Sequence, residues 1–392
     1  MHMRDGKVCR KDIMTDNLPI LAGETIPAKN PPESPAGALG QHQALIRAQT
    51  DHEAVAAWLA GCRSAKTLKA YRREAERLLF WCREQGKQLR DIAYEDLLAF
   101  SAYLLAPPKE WISDAKYPRA HPDWRPMTGP LSVGSHRMAI TIIRRMMAWL
   151  TEAGYLQKNP GSLLKLGRGP QEDEITRYLP IEAVALIDDA VGQMPEKAPA
   201  HLRQKARAKF LISLYYETGI RLFEGANADM GDIARDHKGN WWLNIIGKGE
   251  QTKKPVPVSE RMLDDLKQYR CAFNRPPLPS PGDREPLILK VRGTGGRATE
   301  EAVANALQQV FREAADLAEK ADQPGLANLL RNASPHWLRH SCMSHLLDDG
   351  TDLATVQAIA RHRSIATTGR YLHKRKEDIH AAVSRRSTRR EK

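Results

Sequence analysis

SPHWLRHSCMSHLL, running from Ser334 to Leu347, crowds His336, Arg339, His340 and His345 into one span that reads as a helix. His336 and His340, four residues apart, share a helix face. Three readings compete: a metal site, a core helix whose histidines find partners, and a cage for negative charge. The helical zinc-protease pattern needs Glu after its first His, and Trp337 stands there instead. No nearby carboxylate or cysteine completes a ligand set. A phosphate cage is left to weigh against the bland reading, because phosphoryl transfer without a metal calls for Arg, Lys and His donors around the non-bridging oxygens.

Composition bounds the partners. The chain has 392 residues, so two domains are expected. The net charge of +13 favours a polyanionic partner, most often nucleic acid. No apolar run approaches the roughly 20 residues of a membrane span. The N-terminus MHMRDGKVCRKDIM has no apolar core after its charges and does not read as a signal peptide. A cytoplasmic, nucleoid-associated location is therefore expected. The five cysteines are dispersed with no CxxC pair, which argues against disulfides and cysteine-bound zinc.

Residues 1 to 48, rich in Pro, Gly and Ala, read as disordered. Helical periodicity begins near Asp51. Ser64 can cap a helix carrying Leu68, Tyr71, Ala75, Leu78, Leu79 and Cys82, and another covers Tyr94 to Leu104. The stretch from Ala106 to Pro130 holds six prolines and two tryptophans and must be a loop. Ser132 can cap the next helix, where Ile140, Ile143, Met147 and Leu150 form the apolar face and Arg137, Arg144 and Arg145 flank it. Residues 161–178 read as a linker. Beyond it, helices are expected over Ile181–Met194, Ala200–Thr218, Thr299–Lys320, Ser334–Asp349 and Asp352–Arg361. Two strands, Trp241–Ile246 and Lys254–Val258, flank the glycine-marked turn GKGEQTK; Pro255 and Pro257 restrict the second to an edge.

The remaining phosphate-site chemistry is found in a fixed order. ETGIRLFEGANADMGDI places Arg221 after a Thr-Gly helix break with Glu224 three residues on, and Lys248 sits in the hairpin turn. His336 and Arg339 follow, then ARHRSIATTGRYLH supplies His362 and Tyr371. Singly, each element is ordinary.

As an ordered set, over about residues 200 to 375, they resemble the tyrosine recombinase (phage integrase) family. The resemblance implies a mainly α, two-domain DNA clamp: a helical core-binding (SAM-like) domain at 49–160, and a catalytic domain at 179–375, mostly helical with a small antiparallel sheet. It also implies the roles. Tyr371 attacks a backbone phosphate and forms a 3′-phosphotyrosine, Arg221 and Arg339 clamp the non-bridging oxygens, and Lys248 protonates the leaving 5′-oxygen. His336 is the acid/base partner and His362 donates to the phosphate. Glu224 supports Arg221, and His340 is a buried hydrogen-bonding residue. His345 is expected to pack. No cofactor or metal is implied. The implied partner is a double-stranded recombination site, expected to be an inverted-repeat core, bound by a homotetramer. Residues 376–392 form a basic tail or a helix passed to a neighbour.

Two departures stand out. The Pro/Trp loop is longer than the family's usual connection. Arg361 stands where the family often has Gly before the third histidine, and is expected to touch a neighbouring phosphate. Arg137, Arg144 and Arg145 are further candidate DNA contacts. A topoisomerase using the same chemistry, and a non-catalytic DNA-binding regulator on the same scaffold, are the alternatives.

Overall fold

The computed structural model describes residues 44–115, 117–118, 121, 123–165, 177–247, 249–291 and 296–372, and the chain divides into two compact units, 1–171 and 172–392. Residues 1–43 of the segment 1–48 expected to be disordered, the tail at 376–392, most of the expected linker and Lys248 lie outside the described residues. The end of that segment is ordered instead, because the Leu45 N–H donates to the Ala153 carbonyl at 2.8 Å and Ile46 and Ala48 pack against the first unit's core.

Among its described residues the first unit has four α-helices: α1 (Asp51–Ala60), α2 (Ala65–Glu84), α3 (Tyr94–Leu105) and α4 (Val133–Glu152). Their starts follow from capping chemistry. Thr50 and Glu53 form a reciprocal capping box on α1, while Ser64 and Ser132 accept backbone N–H bonds at α2 and α4. The amphipathic faces of α2 and α4 meet over Leu78, Ile143, Met146 and Leu150, all fully buried. The Pro/Trp loop is tied into this core. Trp111 is completely buried, its indole N–H donates to Glu84 at 2.6 Å, and Met127 is buried beside it. Arg77, itself paired with Glu74, donates to the Pro126 carbonyl at 3.1 Å. The prolines forbid a helix there, and the two buried anchors replace the lost backbone ladder.

The 161–178 linker expectation needs correcting at its start. Pro160–Leu163 form a 3-10 turn, Gly161 is buried, and Leu164 belongs to the first unit's core. Glycine and proline there mark a tight turn under an apolar residue.

The second unit begins with α5 (Ile181–Gly192), α6 (Pro199–Thr218) and α7 (Leu222–Asn227). An antiparallel sheet follows in the order β1 (Ile233–Arg235), β2 (Trp241–Ile246), β3 (Lys253–Pro257). Then come α8 (Glu260–Ala272), α9 (Glu300–Lys320), α10 (Pro324–Asn332), α11 (His336–Asp348), α12 (Leu353–Ala360) and α13 (Ile365–Gly369). The molecule is thus mainly α with one small antiparallel sheet. As Pro255 and Pro257 require, β3 is an edge. Strand β1 went unread because three residues are too few to show alternation. Helix α8 carries Met262, Leu266 and Tyr269 at helical spacing behind the Ser259 cap. A continuous core joins α5, α6, α8 and α9 through Phe210, Leu214, Leu266 and Phe311. A separate small cluster of Cys342, Met343, Val356, Ala360 and Tyr371 holds α11 and α12 against the C-terminal turn. No described helix is long and apolar enough to cross a membrane.

Candidate active site

The α6–α7 break creates the first half of the site. Gly219 ends α6 at φ 57°, in the left-handed region. A Cβ there would crowd into Met343 Cε and lie 3.2 Å from Cys342 Sγ, so the turn is pressed against α11. This close approach brings the Gly219 carbonyl onto the guanidinium of Arg339. Two residues on, Arg221 opens α7. Its backbone N–H donates to Glu224 Oε2 at 2.7 Å and its Nη1 to Oε1 at 3.0 Å. The Glu224 side chain is fully enclosed, whereas that of Arg221 stays 37% exposed. Arg221 therefore has a fixed root and a free face, the arrangement that an anion clamp needs.

Helix α11 supplies the second half. Arg339 is buried and donates to the Gly219 carbonyl, to the Ala360 carbonyl at 2.6 Å and to His362 Nε2 at 3.2 Å. Burial, with the charges of Arg221 and Arg361, pushes its pKa down to about 10, so it keeps its proton at neutral pH. His336 and His340 stack edge to face at 4.4 Å between ring centroids. His340 Nδ1 lies 2.8 Å from the Tyr371 hydroxyl. The structural role expected of His340 thus takes a more direct form, since the residue touches the hydroxyl of Tyr371, the expected nucleophile. His345 bonds the Tyr216 hydroxyl at 2.8 Å, the packing role expected of it.

His362 links the halves. A guanidinium can only donate, so Nε2 is the accepting nitrogen, and Nδ1–H donates to Thr368 Oγ1 at 2.9 Å. In this arrangement His362 is an acceptor toward Arg339, not the phosphate donor expected of it. Donation from Nε2 requires the other tautomer. Tyr371 is 3% exposed, with its ring nearly parallel to that of His362 at 5.9 Å. Burial raises its phenol pKa, opposed by Arg339, Arg370 and Arg221. Burial first, then His336 and nearby arginines, pushes His340 down to about 3, while burial followed by the neighbouring arginines pushes His362 to about 4 and lowers His336. The histidines are therefore neutral at neutral pH, each with one ring nitrogen able to accept a hydrogen bond.

Five of the six expected catalytic residues, Arg221, His336, Arg339, His362 and Tyr371, belong to this one network. Lys248 lies outside the described residues; the turn that carries it joins β2 and β3, paired from Ile246 to Lys253. Among the described residues no group of three His, Cys, Asp or Glu side chains can hold a metal ion. Thr368 was not anticipated. Nothing in TTGRY marks it beyond its nearness to His362 in the chain.

Arg361 departs from expectation. It ends α12 at φ 55°, the left-handed conformation that explains a glycine preference at this place. Its Nη2 donates to Glu224 Oε2 at 2.7 Å, so the guanidinium is committed inward instead of reaching for a neighbouring phosphate. In the first unit, Arg144 donates to the Gly161 carbonyl at 3.1 Å and pins the 3-10 turn. Arg145 is exposed and donates to the Tyr71 hydroxyl at 2.9 Å, and Arg137 is half-buried.

Residues 189–378 match the model described as the phage integrase family. A tyrosine recombinase XerD from Brucella abortus biovar 1 (strain 9-941) is 32% identical over 253 residues, covering 64% of this chain and 75% of the relative. The chain belongs to the tyrosine recombinase family. A XerC from Xylella fastidiosa (strain 9a5c) is 28% identical over 312 residues, with 79% and 86% of the two chains covered. Among solved structures, the XerH site-specific recombinase in its post-cleavage complex with palindromic difH substrate matches with a TM-score of 0.58. The identity is 16%, over 88% of this chain and 91% of that one. The Tn1549 transposon integrase bound to a circular-intermediate DNA matches at 0.56 and 15% identity, over 86% and 99%. This tyrosine recombinase shares their fold.

Proposed function

We propose that this tyrosine recombinase is a site-specific DNA strand transferase in which Tyr371 is the nucleophile. The supporting observation is the 2.8 Å contact between the Tyr371 hydroxyl and His340 Nδ1, beside the His362 ring that accepts from Arg339 and within the electrostatic reach of Arg221. A phenol at its ordinary pKa, near 10, attacks poorly, so a base within hydrogen-bond reach is required. His340 is placed to take the proton once the negative charge of the bound phosphate raises its basicity from the low value it has in the DNA-free fold. The Tyr371 oxygen then bonds to phosphorus as the bond from phosphorus to the 5′-oxygen breaks. Lys248 supplies the proton to that leaving oxygen, and Arg221 and Arg339 balance the charge on the non-bridging oxygens. The phosphotyrosine keeps the diester's bond energy, so the reverse attack by a 5′-hydroxyl rejoins DNA without ATP.

In this reading residues 179–375 are the catalytic domain and 49–160 a DNA-binding domain, with Arg137 and Arg145 on its basic side. The DNA partner is a duplex site with inverted half-sites, occupied by four copies. Similarity to the Xer recombinases supports recombination over simple relaxation of supercoils or non-catalytic regulation.

The test uses nicked duplexes spanning the DNA that flanks the chain's own gene, in EDTA, with wild type beside Tyr371→Phe. An SDS-resistant protein–DNA adduct is expected with wild type alone. Specific binding without an adduct would move weight to the regulator, and an adduct with Tyr371→Phe would remove Tyr371 from its role.

A further inference from the structure

Three consecutive residues at the end of α12 touch the phosphate clamp, two of them Arg339 itself and the third the carboxylate that holds Arg221. The Ala360 carbonyl and the His362 ring both accept from Arg339. Between them, the left-handed backbone at Arg361 turns its side chain onto Glu224, the carboxylate that roots Arg221. An L side chain is disfavoured at that φ, so a non-glycine residue there calls for a compensating interaction. Here that interaction is a nearly enclosed ion pair, with side chains 8% and 0% exposed.

Charge then decides what the contact does. Alone, Arg221 and Glu224 form a closed, neutral pair. With Arg361 on the same carboxylate, the trio carries a net charge of one positive unit while Arg221 keeps its exposed face. Among the described residues, the buried Nη1 of Arg361 has no hydrogen-bond partner and its Nη2 donates to Glu224. We propose that Arg361 is a positioning residue that acts through Glu224, offsetting the carboxylate's charge and fixing its rotamer so that Arg221 meets the scissile phosphate as an unneutralised cation. The proposal rests on the strand-transfer reading above.

The experiment is single-turnover adduct formation on the same nicked duplexes at saturating DNA. It compares wild type, Arg361→Gly, Arg361→Gln, Arg361→Lys, Glu224→Gln and the Glu224→Gln/Arg361→Gln pair. Glycine suits the backbone, so Arg361→Gly tests the side chain without a folding penalty at φ. Loss of the arginine should slow cleavage by about tenfold with DNA affinity within about twofold, and Lys should restore part of the rate. In the Glu224→Gln background the Arg361→Gln change should cost less than about twofold, because there is no carboxylate left to offset. Wild-type speed in Arg361→Gly, an undiminished loss in the Glu224→Gln background, or a defect confined to affinity would overturn the proposal.

A second measurement needs no cleavage: the rise in melting temperature with inorganic phosphate. Arg361→Gln should need about tenfold more phosphate than wild type for the same rise. An equal response, or none in wild type, overturns the positioning role. Absence of an adduct from wild type, with the phosphate response intact, would instead count against the strand-transfer reading.

Discussion

Gly219→Ala tests how the fold builds the site. The substitution forces an L side chain to φ 57° and drives a methyl group into Met343, which is fully buried. The left-handed backbone costs roughly 1 kcal/mol. Crowding adds about 1 kcal/mol, at the low end of overpacking because the thioether end of Met343 can swing aside. A total of about 2 kcal/mol lowers the melting temperature of a body of this size by roughly 4–8 °C. The same shift disturbs the Gly219 carbonyl that Arg339 holds. Adduct formation should therefore slow even well below the melting temperature. Thermal melts of Gly219→Ala, Met343→Ala and the double variant isolate the crowding. The double variant should be about 1 kcal/mol less destabilised than the sum of the singles. Strict additivity, or an unchanged melting temperature in Gly219→Ala, would refute the steric reasoning.

Other expectations follow from the same geometry. His340 and His362, held to about 3 and about 4 in the fold, return to roughly 6.5 when unfolded, so the unfolded chain binds more protons between these values. Stability intact above about pH 6.5 should thus be lost as pH falls toward about 4. Melts at about pH 7 and about pH 5 check this, and a drop that persists undiminished in the His340→Gln/His362→Gln variant would sink it. In the first unit, Arg145→Ala should weaken binding uniformly across DNA sequences and reduce the salt slope by about 1. Arg144→Ala should chiefly loosen the turn at Gly161, by about 1 kcal/mol in a denaturation midpoint. An unchanged salt slope in Arg145→Ala would remove that residue from the DNA face.

What was legible in the sequence was local or ordered along the chain. Ser64 and Ser132 announce helix starts because a cap is a contact between neighbours in sequence. The edge position of β3 follows from two prolines that cannot donate. The ordered set proposed for catalysis, Arg221, Lys248, His336, Arg339, His362 and Tyr371, stood out because a chemistry that needs several cations and a nucleophile leaves several marks. The tertiary structure decided which atoms meet. Glu224 lies 137 residues from Arg361, and Arg339 lies 120 from the Gly219 carbonyl. Spacing in the chain carries no information on such pairs. That His340 rather than His336 bonds Tyr371, that Arg361 turns inward, and that Trp111 ties the proline-rich loop into a core are all settled by packing. The sequence sets the chemical inventory and the helical faces, because these depend on residue type and local period. Pairing within the site depends on how distant segments are pressed together, and that is a property of the folded core.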